Sequence, residues 1–165
     1  MDAFLRQTGM ALGGERDRTY LGIVTRACNS RNSSQNVHIL HMRYQTRRAI
    51  DKLSEVLNLR AYGQDWDIEL ADPDRVEEFC QLYSQLQDED ERFTLMTLII
   101  ASLDDALQVK DHDEKMVDLV KSLLSSSFDL HQDTIEYWCL FEEDNPDNCW
   151  TVTLIMRAIW QANKD

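Results

Sequence analysis

Hydrophobic positions recur at intervals of three and four residues along most of the chain from residue 37 onward. This spacing places apolar side chains on one side of a helix, where they pack on a core. The first run extends from 37 to about 60, with a stripe made of Ile39, Met42, Ala49, Ile50, Leu53, Val56 and Leu57. Further stripes predict a helix over 73–86, a helix over 93–107 that is apolar around much of its circumference, and three more before the C-terminus. We therefore expect an all-α fold of about six amphipathic helices, with 93–107 at its centre.

Residues with the spacing of helix caps separate these runs. Asp72 before Pro73, and Asn145 before Pro146, have the form of an N-cap followed by proline at the first helical position. The capping-box spacing of three residues recurs at three further joints: Asp88 with Glu91, Asp111 with Glu114, and Asp129 with Gln132. Because these joints are short, we expect either a bundle or a short solenoid of helical hairpins.

The N-terminal part of the chain lacks this periodicity. Glycines are concentrated there, and NSRNSSQN at 29–36 is polar and rich in turn-forming residues. We therefore expect residues 1–36 to form an irregular or mobile extension and residues 37–165 to form a single helical domain. The N-terminus lacks the apolar core of a secretory signal, and no later run is long enough to span a membrane. We expect a cytoplasmic protein with no membrane partner.

Composition adds few constraints to this picture. A chain of 165 residues with 43% apolar and 28% charged residues has room for one domain with its own core. None of the four cysteines forms a C-x-x-C pair, so we expect reduced thiols rather than a zinc or redox site, at Cys28, Cys80, Cys139 and Cys149.

Charge is distributed unevenly along the chain. Residues 1–60 carry ten Lys and Arg against five Asp and Glu, whereas residues 61–165 carry seven against twenty-five. Phosphate contacts need Lys and Arg, so this distribution argues against nucleic acid as a ligand of the acidic part and favours a basic protein. The first helix carries a basic flank of Arg43, Arg47, Arg48 and Lys52. We expect this flank to dock on the acidic part of the same chain. The alternative is that the flank binds RNA or an acidic partner.

Two patterns of possible metal ligands offer alternatives to this interpretation. The all-α hydrolases of the HD class carry a His, an adjacent His-Asp pair and a distant Asp, an order that this chain matches in residue type at His38 or His41, His112-Asp113, and Asp129 or Asp133. Helical nucleotide pyrophosphohydrolases bind magnesium through spaced carboxylates, and acidic pairs occur here at Glu77-Glu78, Asp88 to Glu91 and Asp104-Asp105, without the characteristic spacing. A helix cap explains His112 and Asp113 without an ion, and no phosphate-binding or nucleophile motif is present. We expect no cofactor and no enzyme; a metal-dependent phosphohydrolase using His112 and Asp113 is the alternative.

An acidic loop near the C-terminus is the best candidate for a binding surface. The segment FEEDNPDN at 141–148 precedes a tryptophan that we expect to be exposed at the start of the last helix. Acidic groups around an aromatic side chain attract and anchor basic proteins. The candidate partner-binding residues are Glu142, Glu143, Asp144, Asp147 and Trp150.

In general character the chain is similar to bacterial immunity proteins, which are small, acidic and helical and which bind and block a basic toxin domain. We therefore expect a non-enzymatic inhibitor that neutralises a basic partner protein. A DNA mimic, with its carboxylates spaced like phosphates, is a weaker alternative. The sequence leaves self-association into a homo-oligomer open.

Overall fold

The structure is a computed structural model that describes residues 43–60, 65–109 and 114–164. Within these ranges the protein is all-α and contains no strand, which confirms the predicted fold class. The helices are α1 (Arg47–Val56), α2 (Trp66–Glu69), α3 (Val76–Gln85), α4 (Glu89–Gln108), α5 (Glu114–Ser126), α6 (Phe128–Cys139) and α7 (Thr153–Lys164). Two 3₁₀ turns, Pro73–Arg75 and Pro146–Asn148, precede α3 and α7. The predicted extension 1–36 and the Asp111 cap lie outside the described residues.

Helix α4 is the centre of the fold, as its sequence predicts. It packs against α1, α2, α3, α5 and α6. Fourteen of its 20 residues are buried, and Leu95, Leu98, Ile99, Ile100 and Leu103 have no exposed surface. Because full burial of such a side chain is worth about 1.5–3 kcal/mol, α4 supplies a large share of the apolar stabilisation. Among the helices in the described ranges, none is long and apolar enough to cross a bilayer.

Helix α1 is shorter than the predicted run of 37–60. Residues 43–46 are not helical, and the helix begins after Thr46, whose hydroxyl accepts a hydrogen bond from the Ala49 amide at 3.3 Å. It ends before Asn58, whose φ of 53° lies in the left-handed region that asparagine tolerates. Among the described elements, α1 packs only on α4, so its buried stripe is narrow. The prediction that Val56 belongs to this stripe is wrong, since its side chain is 57% exposed.

The predicted starts of the last two helices are also wrong. Helix α6 begins at Phe128, so Asp129 lies in its first turn and does not cap it. Asn145 does accept a hydrogen bond from the Asp147 amide at 3.2 Å, but this cap opens only the 3₁₀ turn. The backbone then becomes extended at Cys149, and α7 starts at Thr153. The chain between α6 and α7 is therefore a loop rather than the start of a helix.

The cysteines in the described residues are free thiols, as expected. Cys80 and Cys139 are buried, and Cys149 is half-buried. Burial raises the pKa of the Cys80 thiol to about 12 and that of Cys139 to about 11. Both therefore remain protonated at neutral pH and behave as small apolar side chains of the core.

Candidate protein-interaction surface

The first of two acidic clusters, the acidic turn at residues 88–91, faces the basic flank. Arg47, Arg48 and Lys52 of this flank lie on α1, whereas Arg43 precedes the helix, contrary to the prediction. An Arg43 nitrogen (Nη2) donates to a Glu89 carboxylate oxygen at 2.9 Å. The guanidinium of Arg48 donates to Asp88 at 2.7 Å, and the ammonium of Lys52 donates to Glu91 at 2.7 Å. The hydrogen bond from Arg48 lowers the pKa of the Asp88 carboxyl.

These contacts confirm that the basic flank docks on the acidic part of the same chain. Arg47, the remaining member, donates to Asp51 at 2.8 Å on its own helix. All four cations of the flank are therefore engaged in ion pairs within the protein. RNA would have to displace these partners to bind there, which disfavours the RNA alternative. The same ion pairs neutralise most of the negative charge of the acidic turn.

The second cluster, the acidic loop at residues 141–150, has no cationic partner among the described residues. Glu142, Asp144 and Asp147 are exposed, and their carboxylates form no ion pair or hydrogen bond with any residue in the described ranges. Their negative charge therefore faces solvent.

Arg157 of α7 fixes the start of the acidic loop. Its Nε donates to the Cys139 carbonyl at 2.7 Å, and its Nη2 donates to the carbonyls of Leu140 at 2.7 Å and Glu143 at 2.9 Å. Leu140 ends α6 with φ of 43°, a left-handed conformation that costs a residue with a Cβ roughly 1–2 kcal/mol. The guanidinium satisfies carbonyls that the end of a helix leaves without partners, which offsets that cost.

Glu143 fixes the middle of the loop. One carboxylate oxygen accepts from the Asn145 amide at 2.9 Å, and the other accepts from the Asn148 side-chain nitrogen at 3.1 Å. This carboxylate is therefore part of the loop structure. The predicted site residues thus divide into one that shapes the loop and three, Glu142, Asp144 and Asp147, that are available to a partner.

The prediction that Trp150 is exposed is wrong. Its ring is half-buried and packs on Trp138, with ring centroids 5.1 Å apart. Its indole nitrogen is buried and makes no hydrogen bond within the described residues. Because the chain turns into α7 only at Thr153, the tryptophan lies in the connection, where its ring covers the core.

Sequence reasoning missed the apolar side chains that are exposed around the loop. Phe141 is 48% exposed, and Leu154 on α7 is 72% exposed. Phe141 also packs on Trp160 at 5.6 Å, and Trp160 packs on Phe128 at 5.9 Å. The position of Phe141 inside the acidic segment was a usable signal; Leu154 gave none, because its spacing is that of a buried residue.

The residues of the HD-class alternative lie only partly within the described ranges. His38, His41, His112 and Asp113 lie outside the described residues. Within the described ranges, no group of three His, Cys, Asp or Glu side chains is arranged to hold a metal ion.

The carboxylates of the magnesium alternative that the structure describes contribute to the fold. Glu78 pairs with Arg75 at 2.7 Å, and the acidic turn is occupied by α1. Asp104 is 3% exposed and accepts a hydrogen bond from the Val152 amide at 3.0 Å. This last contact ties the acidic loop's C-terminal end to the central helix.

A buried polar network joins three helices on another side of the domain. His131 has no exposed surface, and its Nε2 lies 2.7 Å from the Tyr83 hydroxyl. Arg92 donates to that hydroxyl at 3.0 Å and to the Ser127 hydroxyl at 2.6 Å. Burial, followed by the positive charge of Arg92, lowers the pKa of His131 to about 3. Since no sequence pattern marks these contacts, this neutral histidine could not be predicted.

Comparison of the chain with protein-family models, curated proteins and solved structures gives no significant match.

Proposed function

We propose that the protein is a non-enzymatic binding protein that neutralises a basic partner protein through its acidic loop. The carboxylates of Glu142, Asp144 and Asp147 are the contact groups, and Arg157 and Glu143 hold the loop in shape. Inhibition of the partner follows if the loop covers the basic surface that the partner uses for its own activity. This is the mode of action of immunity-type proteins, to which the chain is similar in general character.

The observation that carries the proposal is the contrast between the two acidic clusters. The acidic turn is neutralised by the basic flank, whereas the acidic loop has no cationic partner among the described residues. A surface of unpaired carboxylates on a fixed backbone steers a basic partner and loses little conformational freedom when it binds.

Affinity capture with three forms of the protein tests this proposal. The loop-reversed variant carries Glu142→Lys, Asp144→Lys and Asp147→Lys and retains Glu143. The control-reversed variant carries Glu55→Lys, Glu69→Lys and Asp118→Lys, which are exposed acids on other helices. Both variants have the same net charge, so a difference between them reports on the location of the charge and not on its amount.

We expect wild type and control-reversed protein to capture the same basic protein, and loop-reversed protein to lose it. The captured protein is then purified and its own activity measured with and without added wild type, which tests neutralisation. Equal capture by the two variants would contradict the proposal. Displacement of DNA from the captured protein would instead favour the DNA mimic, and metal-dependent phosphate release that His112→Ala abolishes would favour the hydrolase.

A further inference from the structure

We propose that the partner contributes a basic amphipathic segment, whose Lys or Arg side chains pair with the acidic loop while an apolar side chain packs on Phe141 and Leu154. This inference rests on the proposed function and deepens it by naming the chemical class of the bound segment. The surface is then a set of carboxylates around an apolar pair, rather than a charged loop alone.

Phe141 is the part of this surface that belongs to the loop. It directly precedes Glu142 and Glu143, and about half of its side chain is exposed although it also contacts Trp160. If an apolar side chain of a partner covers the exposed part of this ring, apolar surface is removed from water, which is favourable. Hydrogen bonds from Arg157 hold the carbonyls of Leu140 and Glu143 on either side of this ring.

Leu154 is the part that belongs to α7. It lies three residues before Arg157, and side chains at this spacing share one helix face at about 5–6 Å between their Cβ atoms. Since Arg157 binds the carbonyls that flank Phe141, we infer that the part of α7 bearing Leu154 borders the loop. Its 72% exposure, together with that of Ala158 four residues later, leaves an apolar strip on this face of α7 without a partner among the described residues.

The negative charge of the acidic loop indicates what kind of partner segment binds next to this strip. The carboxylates of Glu142, Asp144 and Asp147, which have no cationic partner within the described ranges, repel an acidic or phosphate-bearing partner and attract cations. The neighbouring aromatic side chains already bind a cation within the chain, because the Lys164 ammonium lies 5.0 Å from the Trp160 ring centroid and 5.8 Å from that of Phe128. A segment with both cations and an apolar side chain satisfies every group on the surface.

Two fluorescent helical peptides of equal length and charge test the inference. The first has Lys on one face and Leu at helical spacing on the other; the second has Ser in place of every Leu. Fluorescence anisotropy gives the affinity of each for the full chain. We expect wild type to bind the Leu-Lys peptide about tenfold more tightly than the Ser-Lys peptide, because only the first covers Phe141 and Leu154.

The variants Phe141→Ser and Leu154→Ser are made separately, so that Leu154→Ser, the more exposed substitution, remains informative if the first variant folds poorly. Each is expected to lower the affinity for the Leu-Lys peptide at least about fivefold and to leave the Ser-Lys peptide unchanged. Val56→Ser, an equally apolar and 57% exposed position on α1, is the matched control and is expected to change neither affinity.

Failure of this inference is distinguishable from failure of the proposed function. Equal binding of the two peptides to wild type, or equal effects of Leu154→Ser and Val56→Ser, would overturn the amphipathic segment and leave the acidic loop as a purely electrostatic surface. Equal affinities of the loop-reversed and control-reversed variants for both peptides would overturn the proposed function itself, and this inference with it.

Discussion

At His131, burial decides which protonation state the folded protein tolerates. The side chain has no exposed surface, and it is joined to Tyr83 while Phe93 stacks beside it at 6.2 Å. A proton on this ring would be desolvated and would lie close to the positive charge of Arg92. The ring therefore stays neutral in the folded state throughout the physiological range of pH.

This depressed pKa predicts a loss of stability in mildly acidic solution. The unfolded chain binds a proton at this histidine below about pH 6.5, whereas the folded chain does not until about pH 3. Protons thus favour unfolding between these values, by roughly 1.4 kcal/mol per pH unit at most for one site. Denaturant unfolding at pH 7, 6, 5 and 4 should show this slope in wild type and a shallower one in His131→Gln. Parallel profiles for the two proteins would contradict the assignment.

Arg157 is the residue on which the shape of the acidic loop depends most. Replacement by Lys keeps the charge but removes the planar fork that binds three carbonyls at once. We expect Arg157→Lys to lower the free energy of unfolding by about 1–3 kcal/mol. We also expect faster hydrogen exchange in residues 141–150. Stability and exchange that match wild type would show that the loop is held by other contacts.

At the scale of elements, the contact between α1 and the acidic turn combines ionic and apolar packing. Ala49 and Leu53 bury their side chains on one side of α1, and the basic flank meets the first turn of α4. Asp88 caps α4 by accepting from the amides of Asp90 at 2.9 Å and Glu91 at 3.1 Å. The same carboxylate pairs with Arg48, so one side chain starts α4 and holds α1.

The ion pair between Lys52 and Glu91 should contribute more to the stability of the fold than the other ionic contacts. Glu91 is 3% exposed, so removal of the ammonium leaves a buried carboxylate without its cation. Because Lys52 itself is 55% exposed and water partly screens the pair, we expect Lys52→Met to cost about 1–3 kcal/mol. Arg47→Met breaks an exposed pair on α1 and should cost under about 0.5 kcal/mol. Equal costs in urea unfolding would contradict this ranking.

Periodicity in the sequence predicted the helices well and their ends less well. The stripe of α4 is long and nearly continuous, so its central position followed from composition alone. Asp88 was correctly predicted as the cap of α4 because a cap is a local interaction. Asp72 caps the 3₁₀ turn that leads directly into α3, and not α3 itself. The start of α7 was not predictable in this way, since Val152 is held by Asp104, 48 residues away.

The candidate site was predictable in its charges and not in its apolar part. Four acidic residues within six positions make the loop recognisable from the sequence. The burial of Trp150 against Trp138 depends on how α6 and α7 pack, which no spacing within one helix reveals. The exposure of Leu154 has the same origin. The positions of these side chains therefore had to come from the structure.

The net charge of the protein is −13. Ion pairs within the fold determine which of its acidic side chains are accessible to a partner. The acidic turn is occupied by α1, so the field that a partner meets on approach comes from carboxylates outside this contact, with three of them clustered on the acidic loop. Such a local field raises the association rate of a basic partner and is screened at high salt.

We propose that binding depends on the location of the acidic loop and not on the total charge of the protein. The most direct test is the association rate constant of the isolated partner with wild type, loop-reversed and control-reversed protein at low and high ionic strength. We predict that the loop-reversed protein associates at least about tenfold more slowly than the control-reversed protein at low salt, and that the difference shrinks as salt rises. Equal rate constants for the two variants would contradict the claim, because they carry the same net charge and differ only in where it lies.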